Sequence, residues 1–174
     1  MIAFTFPRHW QVRASPNHNP RPNNIMPSAI VLHADAANRV DESLDWCRRR
    51  ESKVSYHILI GRTGNVFSLV HPELRAWHCG VSEMDGVKDV NDFAIGVCLS
   101  NRNNGETYPT AQVFEGVRTC ALLCRFYGID PDRITTHALI ALPAGRKTDP
   151  VGLDLDAFKT QVRHMLRGGT PPLR

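Results

Sequence analysis

The sequence predicts a single α/β domain with a central mixed β-sheet flanked by helices. Three observations carry that expectation. Short apolar runs, Ile30–Leu32 and Ala94–Leu99, do not alternate with polar residues, as befits strands covered on both faces. Thr110–Tyr127 instead has helical spacing, with Val113, Val117, Cys120, Ala121 and Cys124 recurring on one side. VSYHILIGRTGNVFSLV, from Val54 to Val70, reads as two strands around a turn at Arg62–Asn65, so part of the sheet is antiparallel.

The elements follow in order. Residues 7–27 contain Pro7, Pro16, Pro20, Pro22 and Pro27 among several asparagines. Proline fixes φ and cannot donate to a ladder, so residues 1–28 are expected to form an extended arm. The folded domain should then span 29–168, with 169–174 as a short Gly/Pro tail. SAIVLHADAA gives a buried strand ending at His33. DESLDWCRRR gives a helix with an acidic start and a basic end, in accord with the helix dipole. Thr110 is a candidate cap for the long helix and Gly128 its stop. A short strand, Ile134–Thr136, leads to His137 and a loop, and Leu153–Arg167 forms the last helix.

Composition narrows the function classes. The 174 residues suffice for one domain with a proper core, and 42% hydrophobic content is ordinary for a globular protein. Lys+Arg 21 against Asp+Glu 17 gives +4, compatible with an anionic partner or simply with a solvated surface. No long basic run and no basic–aromatic patch occurs, which argues against nucleic acid. No stretch is apolar enough to insert in a membrane, and MIAFTFPRHWQVR lacks the pattern of a signal peptide. The protein is therefore expected to be synthesised in the cytoplasm, as a monomer. Cys47, Cys79, Cys98, Cys120 and Cys124 are odd in number and contain no C-x-x-C, so buried free thiols are expected.

Two of the eight histidines stand out by context. His33 ends a buried strand and His137 follows one, where loops hold polar groups above a rigid sheet. Between Pro143 and Pro150 the loop IALPAGRKTDP adds Lys147 and Asp149, charges that an exposed loop does not need for packing. Two histidines and a carboxylate are a ligand set for catalytic zinc that leaves a fourth position for water. In extended chain, residues two apart point the same way, so Lys147 would share a cavity with Asp149.

SPNHNPRP, SAIVLHADA, VSYHILIGRTGNV, RAWHCGVS, NDFAIGVCLSN, ITTHALIA and GRKTDP occur in that order. Together they resemble the type 2 N-acetylmuramoyl-L-alanine amidases over residues 15–168. That family includes cytosolic muropeptide-recycling amidases, phage amidase-type lysozymes and, more distantly, peptidoglycan recognition proteins. The resemblance implies one Zn2+ held by His33, His137 and Asp149, with Lys147 as transition-state stabiliser. It also implies hydrolysis of the bond between the lactyl group of N-acetylmuramic acid and the L-alanine of the stem peptide, in peptidoglycan or muropeptides.

The recycling amidases carry a glutamate in the strand motif where this chain has Cys98. The phage lysozymes also have cysteine there and use a tyrosine before the hairpin histidine, matched by Tyr56. The arm and the RAWHCGVS…NDF block instead look like the recycling type. Tyr56 is thus a catalytic candidate or a packed strand aromatic; His57, facing the other way, is read as structural. Trp77 and His78 are substrate-groove candidates, since exposed aromatics stack on sugars and peptides, with a buried tryptophan as the alternative. Asn91 and Asp92 either shape the groove or form a turn, and the turn is the favoured reading. The loop ALPAGRK is two residues longer than the usual family spacing. The leading expectation is a phage or prophage endolysin acting on the cell wall after release. The alternatives are a cytosolic recycling amidase, a non-catalytic peptidoglycan-binding module, and a regulator of another protein.

Overall fold

The computed structural model describes residues 4–169. The chain runs β1 (Gln11–Val12), β2 (His18–Pro20), β3 (Ala29–His33), α1 (Val40–Arg48), β4 (Ile58–Ile60), β5 (Val66–Ser68), β6 (Leu74–Ala76), β7 (Glu83–Met84), β8 (Val87–Lys88), β9 (Ala94–Leu99), α2 (Thr110–Tyr127), β10 (Ile134–Thr136), α3 (His137–Ile140) and α4 (Leu155–Leu166). Six strands form one mixed sheet in the order β1-β5-β4-β9-β3-β10. The β4, β9, β3 and β10 neighbours are parallel, and the β4–β5 hairpin is antiparallel. The expected mixed α/β sheet with flanking helices is the one observed.

The two faces of the sheet differ because strand residues alternate. Ile30, Leu32, Ile58, Ile60, Ile95, Val97 and Leu99 point to one side and pack with Val117, Leu123 and Phe158 from α2 and α4. Phe158 is 1% exposed, a burial worth about 1.5–3 kcal/mol. The opposite face carries Ala29, Val31, Leu59, Ala94 and Cys98, in two smaller clusters under α1 and the 79–93 segment. His33 continues this second face, which therefore bears the polar chemistry. Gln112 in α2 donates to the carbonyls of Ile60 (2.9 Å) and Ser100 (2.8 Å), pinning the helix to the ends of β4 and β9.

The arm is tightly attached. β1 pairs with β5 and β2 with β6, and Phe4 and Trp10 enter the core. Asn17 donates to the carbonyls of Cys47, Arg49 and Val54. Arg21, 4% exposed, donates to the carbonyls of Pro72, Asn91, Asp92 and Ala94. Burial pushes its guanidinium down to about 10, yet four carbonyls satisfy its donors. Residues 1–3 and 170–174, most of the expected tail, lie outside the described residues.

Local expectations need adjustment in four places. The cap position of α2 is Pro109, and Thr110 is the first helical residue. The long helix ends at Gly128, with φ +68°, as expected of a left-handed stop. The first hairpin strand begins at Ile58, because Ser55 N–H donates to the Trp77 carbonyl and takes the preceding chain out of the β5 ladder. α4 starts at Leu155, where the Asp154 carboxylate accepts from Ala157 N–H (2.9 Å). His137 opens a single helical turn instead of a loop. All five cysteines are free and buried, as expected.

Candidate active site

Parallel pairing brings the site together. Leu32 is level with Thr136, so His33, the last residue of β3, lies beside His137, the first after β10. Their ring centroids are 4.7 Å apart. The Asp149 carbonyl accepts from Ala138 N–H (2.9 Å), which fastens the incoming loop to the turn that carries His137. The Asp149 carboxylate then stands 3.3 Å from His33 Nδ1 and 3.1 Å from His137 Nδ1. Tetrahedral zinc with bonds of about 2.0–2.1 Å has ligand–ligand edges of roughly 3.3–3.4 Å, so these three donors could hold the metal with little movement.

Hydrogen-bond polarity gives the same answer. His137 Nε2 faces the Cys79 carbonyl at 3.0 Å, and a carbonyl only accepts. A neutral His137 with its proton on Nε2 therefore turns the Nδ1 lone pair toward a carboxylate oxygen. Two acceptors in contact require a proton or a cation between them. Burial alone would push the Asp149 carboxyl up, but the hydrogen bonds with His137 and His33 hold it well below the usual carboxylate range. Burial pulls His33 down to about 4 despite the carboxylate beside it, favouring the neutral, ligating imidazole. His33, His78 and Cys79 form a second group of donors near enough to share an ion.

A cavity of about 550 Å³ opens over His78, Cys79, His137 and Asp149, with Tyr56, Trp46, Trp77, Lys53, Arg146 and Lys147 on its walls. Tyr56 is partly buried, its ring centroid 5.2 Å from His33. Burial raises both the Tyr56 phenol and the Cys98 thiol well above their ordinary ranges. Neither is a base at neutral pH; Tyr56 is a hydrogen-bond donor. Lys147 is exposed, and among the described residues its ammonium has no hydrogen bond or ion pair. Trp77 is half-buried, with Nε1–H donating to Asn19 Oδ1 (2.6 Å). His78 is only 5% exposed and forms part of the cavity floor, where its ring lies against His33. His57 is buried, accepts from Gly96 N–H through Nδ1 (2.9 Å) and lies 3.0 Å from the Leu74 carbonyl through Nε2.

Several residues hold this arrangement that sequence reasoning did not single out. Arg146 donates to the carbonyls of Leu142 (2.7 Å), Val81 (2.7 Å) and Cys79 (3.0 Å), stapling the 141–146 loop to the 79–81 segment. Asn103 bonds Thr148 Oγ1 (3.1 Å) and Val151 N–H (2.7 Å) on the other flank. The longer loop is thus anchored on both sides of Lys147. Asn91, read as a turn residue, lies in a short 3-10 turn, and its Oδ1 accepts from the N–H groups of His78 (3.1 Å) and Cys79 (2.9 Å). Asp92 forms an ion pair with Arg75. The signal for Asn91 and Arg146 is weak, since each acts on backbone distant in sequence.

Comparisons with known proteins agree with the site. The sequence profile of the family described as N-acetylmuramoyl-L-alanine amidase matches residues 22–152. The 1,6-anhydro-N-acetylmuramyl-L-alanine amidase AmpD of Salmonella typhimurium is 30% identical over 162 residues, covering 81% of this chain and 85% of that protein. A crystal structure of AmpD superposes with a TM-score of 0.76 at 26% identity, covering 92% of this chain and 99% of that one. The amidase AmiD of Escherichia coli, solved with anhydro-N-acetylmuramic acid-L-Ala-D-γ-Glu-L-Lys, superposes with a TM-score of 0.70 at 25% identity, covering 82% of this chain and 58% of that one. The matched stretch runs unbroken from the arm through β3 and β10 to Asp149, so the chain belongs to the N-acetylmuramoyl-L-alanine amidase family and is an enzyme of that activity.

Proposed function

We propose that this amidase cleaves the lactyl–L-Ala bond of soluble 1,6-anhydro-muropeptides, as a cytoplasmic monomer, with zinc held by His33, His137 and Asp149. The observation that carries the chemistry is the trio of donor atoms, 3.1–3.3 Å from carboxylate to imidazoles, with His137 and Asp149 lining an open cavity. Zinc, when bound, supplies polarisation of the scissile carbonyl and activation of the attacking water. The chain's own groups do the rest. Lys147 places a cation, unpaired among the described residues, where negative charge grows on the carbonyl oxygen. Tyr56 donates its hydroxyl proton in a hydrogen bond toward the reacting centre and stays protonated. Trp77, oriented by Asn19, offers an aromatic face to sugar or peptide.

The names of the relatives support the anhydro-muropeptide over the intact wall, and AmiD was solved with such a ligand. This shifts the weight from the endolysin expected from Tyr56 and Cys98 to the recycling alternative. Tyr56 and Cys98, which match the phage pattern, stand on the endolysin side. Zinc-loaded protein should release new L-alanine amino termini from soluble anhydro-muropeptides faster than from intact sacculi, and chelation should stop it. Rapid solubilisation of sacculi with no turnover of soluble muropeptides would return the assignment to the endolysin.

Tyr56→Phe is expected to lower kcat with zinc affinity unchanged, since phenylalanine keeps the ring that lies against His33 and only the hydroxyl is lost. One hydrogen-bond donor to the transition state is typically worth on the order of 10²–10³ in rate, and a shared one less. Full turnover in Tyr56→Phe would remove the residue from the catalytic set.

A further inference from the structure

His78 has no role in the chemistry above, yet its ring is held directly beside it. Its ring lies perpendicular to that of His33, with His33 Nε2 3.0 Å from His78 Nδ1. Both residues are buried, at 1% and 5% exposure, so water does not mediate this contact. Gly96 makes room for it: a Cβ at that position would stand 2.6 Å from His78 Cγ. Asn91 fixes the backbone on which the ring hangs, through the N–H groups of His78 and Cys79.

We propose that His78 is a positioning residue for His33, accepting the His33 Nε2–H at Nδ1 and so holding His33 in the tautomer that leaves its Nδ1 open to zinc. The proposal rests on the zinc reading above. The logic is one of proton positions. A neutral imidazole carries a single N–H, and the partner of one nitrogen decides which nitrogen holds it. His33 Nδ1 faces the Asp149 carboxylate at 3.3 Å, and without another acceptor it would keep its proton there. That proton would block the ligand atom. His78 Nδ1 draws the proton to the far side of the ring. For His137 the same task falls to the Cys79 carbonyl, which can never donate.

The Cys79 Sγ, 3.0 Å from the same His78 Nδ1, can add its S–H as a second donor and bias that nitrogen toward accepting. The cost is visible on the other side of the ring. With Nδ1 accepting, the His78 proton sits on Nε2, a buried atom without a hydrogen-bond partner among the described residues. A native fold rarely keeps such an orphan without a compensating use. Setting the tautomer of a metal ligand is one.

The test compares zinc affinity, by competition with a chromogenic chelator, for the wild type, His78→Gln and His78→Phe. Loss of an outer-shell partner typically weakens metal binding 10–100-fold. His78→Phe should show that loss, and His78→Gln, whose Oε1 can accept, should stay near the wild type. Nitrogen-15 NMR of the zinc-loaded wild type needs no variant and decides even where His78→Phe does not fold. It should show His33 protonated at Nε2 and His78 protonated at Nε2. His33 protonated at Nδ1, or His78→Phe binding zinc as tightly as the wild type, overturns the proposal. So does a thiolate-to-cobalt charge-transfer band in the cobalt-substituted protein, which would put the metal on Cys79, His78 and His33 instead. A wild type that binds no zinc at all overturns the metal reading itself, a result the variants do not enter.

Discussion

Replacing Asp149 with alanine is expected to abolish amidase activity and to remove any stabilisation of the fold by zinc. The carboxylate is the only anionic member of the trio, and it stands between the two imidazoles, 3.3 Å from His33 and 3.1 Å from His137. Without it, the two histidines offer a neutral pair with an incomplete chelate. The loss in affinity should exceed the roughly 10–100-fold of an outer-shell change. Zinc at 100 times its Kd should stabilise the wild type by about 2.7 kcal/mol, which for a domain of this size is a rise in Tm of roughly 5–10 °C. Asp149→Ala should melt at the same temperature with and without zinc. Thermal melts with matched zinc and chelator controls read this directly. An equal zinc-dependent rise in the variant would take Asp149 out of the ligand set.

That Asp149 meets both His137, 12 residues before it, and His33, 116 residues before it, shows what kind of information the sequence carries. His33 and His137 were legible because each follows a short apolar strand, and parallel neighbours in register present their carboxyl ends together. The helices were legible from spacing, although their ends moved by a residue or two, as with Leu155 and Pro109. The floor of the site was not. His78 sits in a stretch with no periodicity, and its burial depends on a missing Cβ at Gly96, on a strand eighteen residues away. Arg21 and Asn17 lie in a proline-rich arm that reads only as extended, because their hydrogen bonds go to carbonyls of chain far off in sequence. Arg146 is of the same kind. Side chains that satisfy distant backbone leave no local pattern, whereas strand-end placement does.

Lys147 marks the boundary between these cases, since its motif was legible and its function depends on what the loop around it does. Arg146 on one side and Thr148 on the other are tied to the 79–81 segment and to Asn103, so the backbone of Lys147 is fixed while its ammonium remains unpaired among the described residues. A cation left unpaired at a cavity wall can serve either the transition state or a carboxylate of the bound stem peptide. The two roles separate kinetically. If Lys147 stabilises the oxyanion, Lys147→Met should lower kcat by about 10²–10³, or roughly 2.7–4 kcal/mol. KM and zinc affinity should then hardly change. If it binds the peptide, KM should rise with kcat intact, the mark of an interaction made equally in ground and transition states. Lys147→Arg keeps the charge but spreads it over a planar fork on a longer stem, and should recover only part of the lost rate. The loss is expected in kcat, because Lys147 lies two residues from Asp149 on the same anchored stretch, and its position is tied to that of the donor trio. A normal kcat with a raised KM in Lys147→Met would move it from the chemistry to the peptide subsite.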